Sequence, residues 1–468
     1  MSFSEDIRAA ADAVRSCREV TIISHIDADG ISSEAILAMA LSREGIHVST
    51  TFVRQLDPLT LDQVPDDSSL KIFSDLGSGQ QQMLMEKGLD PSKTIIIDHH
   101  VSQPADHGDP FIEVNCLNHG HEKMSAAGVS YLVAREIDSI NTDLAKLAVI
   151  GNVGDMMDRE HLRLTGPARE ILLDGIRHGT VELWERDLNI YGISTRPLPQ
   201  SLAYSDDMDI PGVSRDIDGA AKFLERIGIT PLQPNRWPVW EDLSFDQKQL
   251  VCSAVIEQMV AHGKDTSRLF SDHYLFPDED WHHAPLRNAS EFATMLNSCG
   301  RWQRPELGGA ICRGDRVEAY REAEHMLRNH RSKIREVMMY ITDTGVSELS
   351  HMLHIHVGGR FPDTIVGIGA GMALSRLNPE KPILIMCEDS LDPSMTKISM
   401  RTRPEVVKKG VDLQLALAQA CEGREGCSGG GHRIAAGAFI PRDHERAFIE
   451  DVNRILAQQY AQSCQDHR

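Results

Sequence analysis

Short apolar runs recur through the first third of the chain, and each stops abruptly at polar residues. Residues 20–23 run into Ser24-His25-Ile26-Asp27-Ala28-Asp29-Gly30, 70–73 into Ser74-Asp75, 94–97 into Asp98-His99-His100, and 147–153 into Gly154-Asp155. Short runs without polar alternation predict strands buried on both faces, as in a parallel sheet, whose sites lie at the carboxyl ends of its strands. Apolar positions three and four apart predict helices over 5–17, 30–41, 125–136 and 142–149. A helix opening at Gly30 points its N-terminus at the polar strand ends, where it favours anions.

Beyond residue 190 the pattern changes. Pro197, Pro199, Pro211, Pro231, Pro234 and Pro238 punctuate 191–240, and long apolar runs are few, which predicts a connecting region. Helical spacing returns over 245–262 and 316–339. Strand-like runs at 352–357, 382–386 and 397–400 alternate with helical stretches at 365–374 and 413–420, and a last helix is expected over 444–461. The expected fold class is α/β: a parallel-sheet domain over 1–190, a partly helical connection over 191–315, a linking helix over 316–340 and a smaller α/β domain over 341–468. A chain of 468 residues exceeds what one core ordinarily organises.

Six residues at the ends of the apolar runs, His25, Asp27, Asp29, Asp75, His99 and Asp155, offer four carboxylates, two imidazoles and no thiolate. That donor set suits Mn²⁺ or Mg²⁺ better than a structural zinc. One ion would be crowded by six ligands, whereas two ions sharing a carboxylate each keep room for water and substrate. Asp75, alone after its strand, is the expected bridge. Two ions about 3.5–4 Å apart are the usual apparatus for in-line attack on a phosphoryl centre. Taken singly, each motif has a plainer explanation: Asp-X-Asp-Gly is commonly a turn or a helix cap, and a His pair a solvated loop. Four such sites within 155 residues, each following an apolar run, read jointly as a metal centre. Further on, Gly429, Gly430 and Gly431 precede His432 and Arg433, and Arg401 follows the strand expected at 397–400. Glycines let a backbone approach a ligand closely, and successive amides form anion-binding concavities.

These motifs resemble those of the DHH phosphoesterase superfamily. The four polar segments from His25 to Asp155 match its N-terminal motifs, and 429–438 is similar to the Gly-Gly-Gly-His motif of the DHH-associated C-terminal domain. The stretch Leu286-Arg287-Asn288-Ala289-Ser290-Glu291-Phe292-Ala293 through Leu296-Asn297-Ser298-Cys299-Gly300-Arg301 resembles the archaeal RecJ-like nucleases. The resemblance implies a DHH catalytic domain, a smaller substrate-binding domain and a cleft between them. It implies that His25, Asp27 and Asp75 hold one ion and Asp29, Asp75, His99 and Asp155 the other, with Mn²⁺ favoured over Mg²⁺. His100 and Asp98 are the implied catalytic residues, His100 facing the phosphate and Asp98 orienting its neighbours. Arg401, Gly429, Gly430, Gly431, His432 and Arg433 would grip the end of the substrate. The implied activity is an exonuclease on single-stranded DNA or RNA. The alternatives are a phosphoesterase of small substrates (oligoribonucleotides, bisphosphates or cyclic dinucleotides) and a replisome scaffold bound to GINS or the replicative helicase complex.

The net charge of −21 argues against a protein that coats long duplexes. Between residues 397 and 433 the balance reverses, seven basic residues against four acidic ones, which suits local capture of phosphate. Nine cysteines without a Cys-X-X-Cys pair read as reduced thiols. Absence of an apolar stretch near the ~20 residues that span a bilayer, and of a basic-then-apolar start, predicts a cytoplasmic protein away from membranes.

Overall fold

The computed structural model describes residues 2–107, 110–205, 207–234, 236–374, 377–378, 380–390 and 392–466. The chain divides into two compact units, Met1–Glu324 and His325–Arg468. In the first, β1 (Glu19–His25), β2 (His47–Val53), β3 (Leu70–Ser74), β4 (Thr94–Ile97) and β5 (Ile112–Val114) form one sheet in the order β2-β1-β3-β4-β5, every pair parallel. β3 and β4 are buried along their whole length, which is why they read as unbroken apolar runs. Ser24 lies opposite Ser74 and Ser74 opposite Ile97, so His25, Asp75 and Asp98 leave the sheet side by side.

The run 147–153 is not a strand. It lies in the helix Ala145–Gly154, and Asp155 is that helix's C-cap. Residues 145–152 are all buried, because the helix packs against helices Ala28–Arg43, Ala126–Ile137 and Ala289–Arg301. A helix covered on every side loses its polar stripe, and its sequence then cannot be told by periodicity from a buried strand. Asp155 consequently reaches the site from the helical layer rather than from the sheet.

β6 (Glu182–Leu188) pairs antiparallel with β7 (Phe270–Leu275). Between them, helices Leu198–Ala203, Ile217–Arg226 and Phe245–Ala261 close over a core that includes Leu202, Phe223, Leu224, Trp240, Val251 and Val255. Helix Glu318–Thr344 carries the chain from the first unit into the second.

The second unit holds a six-stranded sheet of β8 (Ser347–Glu348), β9 (Leu353–His356), β10 (Ile383–Glu388), β11 (Met395–Arg401), β12 (Ser428–Gly431) and β13 (Ala435–Pro441), ordered β12-β13-β11-β10-β9-β8. Only β9 and β10 run parallel; the other pairs are antiparallel. Along β10, Leu384 and Met386 enter one apolar core while Ile383, Ile385 and Cys387 enter another. The sheet is therefore sandwiched, with helices Leu413–Cys421 and Glu445–Asp466 on one face and Asp363–Ala373 on the other. Among the described residues, no helix is long and apolar enough to cross a membrane.

Candidate metal centre

Local chemistry explains why each side chain stands where it does. Asp27 is the N-cap of helix Ala28–Arg43, its Oδ1 accepting from the amides of Asp29 (3.1 Å) and Gly30 (3.0 Å). A Cβ on Gly30 would lie 2.3 Å from the His25 carbonyl oxygen, so the close return of this loop requires glycine. Asp29, buried in the first turn, accepts from the amides of Ala126 (2.7 Å) and Ala127 (2.9 Å) at the start of another helix. Asp75 adopts a left-handed backbone, φ 61°, and its amide donates to the Ile97 carbonyl at 3.0 Å. Left-handed non-glycine residues are costly and concentrate at functional sites, and aspartate is among the few that tolerate the conformation.

These placements converge. His25 Nδ1 lies 3.1 Å from Asp27 Oδ2 and 3.3 Å from Asp75 Oδ2. Its Nε2–H donates to the Arg54 carbonyl at 3.1 Å, which turns Nδ1 toward the two carboxylates; burial opposes a charge on the ring, but Asp27 and Asp75 outweigh it and raise its pKa well above 6.5. On the other side, His99 Nε2 is 3.2 Å from Asp75 Oδ1 and 3.7 Å from Asp29 Oδ2, and His99 Nδ1 is 3.5 Å from Asp155 Oδ2. Donor atoms of His25, Asp27 and Asp75 gather in one group, and those of Asp29, His99 and Asp155 in a second; Asp75, Asp98, His99 and His100 gather in a third. Asp75 thus sends one oxygen toward each imidazole.

The electrostatics ask for a cation. Burial, reinforced by neighbouring carboxylates, raises the pKa of Asp29, Asp75 and Asp155, that of Asp75 to about 7. Burial lowers that of His99, leaving a neutral imidazole able to ligate. Among the described residues, the buried His99 Nδ1 and Asp155 Oδ2 have no hydrogen-bond partner. Such groups are costly unless paired or bound to a metal. Oxygen and imidazole donors with no thiolate fit a hard or borderline divalent ion, as the residue types alone predict.

Asp98 takes no such central place. Its Oδ1 accepts from the His99 amide (2.7 Å) and from His100 Nδ1 (2.7 Å), and its Oδ2 from the Ser78 amide (3.0 Å). Burial opposes a charge on His100, but the hydrogen bond and charge of Asp98 outweigh it and raise its pKa to about 9. The half-exposed His100 ring rests against His99, centroids 4.4 Å apart.

The C-terminal residues gather at one end of the second sheet. Gly430 pairs with Gly437, which pairs with Ser399, so strand alternation places Gly430 on the same face as Ser399 and Arg401. A Cβ would meet the Leu417 carbonyl at 3.2 Å from Gly429 and Ala436 Cα at 2.7 Å from Gly431, but nothing within 4 Å from Gly430. The outer glycines therefore serve packing and a turn, while the middle one leaves an open backbone. Arg401 Nη1 donates to the carbonyls of Met400 (2.7 Å) and Ala436 (3.4 Å), and burial lowers its pKa. His432 sits exposed in the turn joining β12 to β13, exchanging backbone hydrogen bonds with Ala435. Arg433 Nε pairs with Asp412 Oδ2 at 3.1 Å, which ties it to the cap of helix Leu413–Cys421.

Sequence reasoning missed the supports. Asn297 Oδ1 accepts from the Ala28 amide at 3.0 Å, and a Cβ on Gly300 would fall 1.7 Å from the Ile26 carbonyl oxygen. Both come from the stretch that carries the RecJ-like resemblance, so its Asn-X-X-Gly spacing has a steric reason: helix Ala289–Arg301 presses directly on the loop bearing His25 and Asp27.

A parallel sheet with carboxylates and imidazoles at its carboxyl edge, followed in the chain by a second sheet with a glycine-rich strand, defines a class of phosphoesterases. The chain belongs to the DHH superfamily: residues 19–152 match the DHH family N-terminal domain, 190–270 the DHH-CID domain and 353–458 the DHHA1 domain. It is 27% identical over 452 residues to the uncharacterized protein MJ0831 of Methanocaldococcus jannaschii, covering 94% of each chain. In fold it is similar to CDC45 from Entamoeba histolytica (TM-score 0.64, 13% identity, 97% of this chain and 98% of that one). It is similar also to an exonuclease RecJ bound to manganese (TM-score 0.56, 16% identity, 98% and 94%). Fold and site together support a metal-dependent phosphoesterase.

Proposed function

We propose that this chain is a two-metal phosphodiesterase that removes nucleotides from the ends of single-stranded DNA or RNA. The observation that carries the reading is the Asp75 carboxylate, one oxygen 3.3 Å from His25 and the other 3.2 Å from His99, which makes a single residue common to two groups of ligands. In this reading His25, Asp27 and Asp75 hold one ion, and Asp29, Asp75, His99 and Asp155 hold the other. Two divalent ions, when bound, activate water for in-line attack and offset the charge building on the phosphate oxygens. His100, kept protonated by Asp98 and half-exposed, donates from Nε2 to a phosphate oxygen. Mn²⁺ stands ahead of Mg²⁺ because two of the six ligands are imidazoles.

The second unit supplies the grip. The open backbone at Gly430 admits a phosphate or sugar closely, and Arg401 with His432 contributes positive charge and donors at the same end of the sheet. A surface of net charge −21 with one basic segment suits a single flexible strand better than a duplex. The test is hydrolysis of 5′- and 3′-labelled DNA and RNA oligonucleotides with Mn²⁺ or Mg²⁺, by the native chain and by Asp75→Asn. Asparagine tolerates the left-handed backbone but removes the bridging charge. Loss of more than about a hundredfold in rate is expected, the upper end of what supporting residues alone cost. Cleavage confined to two- to four-residue substrates would instead assign a small-substrate phosphoesterase. A second reading, a scaffold that docks with GINS or the replicative helicase complex, draws on the fold shared with CDC45. It predicts partner binding that Asp75→Asn leaves intact.

A further inference from the structure

A cavity of about 240 Å³ opens beside the metal centre, within the first unit. Gly154 and Met156, the residues flanking Asp155, line it, and so does Asn297, which holds the start of the helix bearing Asp29. Its opposite wall comes from the inserted helical module, through Tyr191 and Tyr204. The volume falls below the ~300–1,000 Å³ of sites that take drug-sized ligands, leaving room for one planar ring system.

The lining shows what would bind. Tyr204 is 52% and Met156 65% exposed, an aromatic ring and a thioether left largely uncovered among the described residues. Met156 and Leu162, both lining the cavity, hold left-handed backbones at φ 60° and 57°, strain of the kind found at binding sites. Three carboxylates reach the cavity. Asp207 is occupied by Arg159 (2.8 Å) and Arg268 (2.8 Å), and Asp272 by Arg169 (3.2 Å). Asp158 differs: among the described residues, no hydrogen bond or ion pair from another side chain ends on it, and burial raises its pKa to about 6. Arg159, the one Arg or Lys among the described lining residues, is paired with Asp207, and three carboxylates beside it make the cavity a poor seat for phosphate. A neutral ring whose edge carries an N–H donor matches both the platform and the available acceptor.

We propose that this cavity is a nucleobase subsite, which rests on the exonuclease reading: it seats the base next to the scissile phosphate, stacked on Tyr204, with Asp158 accepting from an exocyclic amino group. Adenine, cytosine and guanine carry that amino group, whereas thymine and uracil lack it and offer only the ring N3–H, flanked on both sides by carbonyl oxygens that the carboxylate repels. The subsite makes the protein selective among bases, with thymine and uracil disfavoured.

The experiment uses the full chain, Tyr204→Ala and Asp158→Asn, with fluorescein-labelled homo-oligonucleotides of deoxycytidine, deoxyadenosine or thymidine, each well beyond the two- to four-residue range of a small-substrate phosphoesterase. Binding is read by anisotropy with Ca²⁺ replacing Mn²⁺, and hydrolysis of the same probes is followed with Mn²⁺. The native chain is expected to bind the cytosine and adenine probes about tenfold more tightly than the thymine probe, the scale of one charge-assisted hydrogen bond. Asp158→Asn should shrink that ratio to about twofold or less, because an amide can donate to the thymine carbonyl. Tyr204→Ala should weaken all three probes about tenfold, the scale of one stacking contact. A ratio unchanged in Asp158→Asn, or affinities unchanged in Tyr204→Ala, overturns the subsite. Hydrolysis without base preference would remove the subsite and leave the exonuclease standing. Selective binding without hydrolysis would remove the exonuclease and leave the subsite.

Discussion

At the scale of single residues, the centre depends on positions where backbone and side chain act together. Asp98 is a case in which the acidic group fixes its neighbours, bonding the His99 amide and the His100 ring. Asp98→Asn should therefore leave Mn²⁺ affinity nearly unchanged while lowering kcat about 10–100-fold, the usual cost of losing a supporting group; titration calorimetry beside steady-state rates checks the split. Residues with charge chemistry were legible in the sequence because each follows an apolar run. Their supports were not. Asp29 is held by backbone amides of Ala126 and Ala127, which leave no trace in residue type, and Ala28 by Asn297, far away along the chain.

At the scale of elements, strands buried on both faces announced themselves as apolar runs, and β1, β3 and β4 formed where expected. The same rule misread 147–153, since a fully buried helix and a buried strand share one pattern over seven residues. β2 escaped notice because its residues are mostly exposed or half-buried, with Val53 alone fully covered. Of the module between β6 and β7, the helix expected over 245–262 formed as Phe245–Ala261, while the rest escaped because its core residues are scattered between prolines rather than gathered into runs. The approach of helix Ala289–Arg301 to the metal loop gives a direct test. Gly300→Ala places a methyl against the Ile26 carbonyl and should cost about 1–3 kcal/mol, lowering Tm by several degrees, with weaker Mn²⁺ binding as the loop shifts. Glu279 ties three segments, its carboxylate receiving Lys146 Nζ and Arg316 Nη2, each at 2.6 Å. Burial opposes its ionisation, but Arg316 and Lys146 outweigh that and lower its pKa from 4.5. A depressed folded pKa means stability present above pH 4.5 and lost as pH falls below it. Glu279→Gln should cost about 1–3 kcal/mol at pH 7, because Arg316 loses its carboxylate while Lys146 keeps Asp278 at 2.9 Å, and the gap from the native chain should narrow below pH 4.5 in denaturant titrations.

At the scale of the whole molecule, the proposed function divides the labour between the two units. The first concentrates carboxylates whose mutual repulsion bound cations would relieve, and the second bears the basic segment and open glycine backbone. Both the superfamily and the two-part order were readable from motifs near either end, since strand-end ligands follow apolar runs and the glycine run is demanded by close backbone contacts at Gly429 and Gly431. The central claim is that Asp75 joins two ions into one centre, and the most direct measurement is the stoichiometry of Mn²⁺ binding to the native chain and to Asp75→Asn, by titration calorimetry of metal-stripped protein. The account predicts two Mn²⁺ per native chain and weakened binding at both positions in Asp75→Asn. A single equivalent in the native chain, or two equivalents bound with unchanged affinity in the variant, would contradict it.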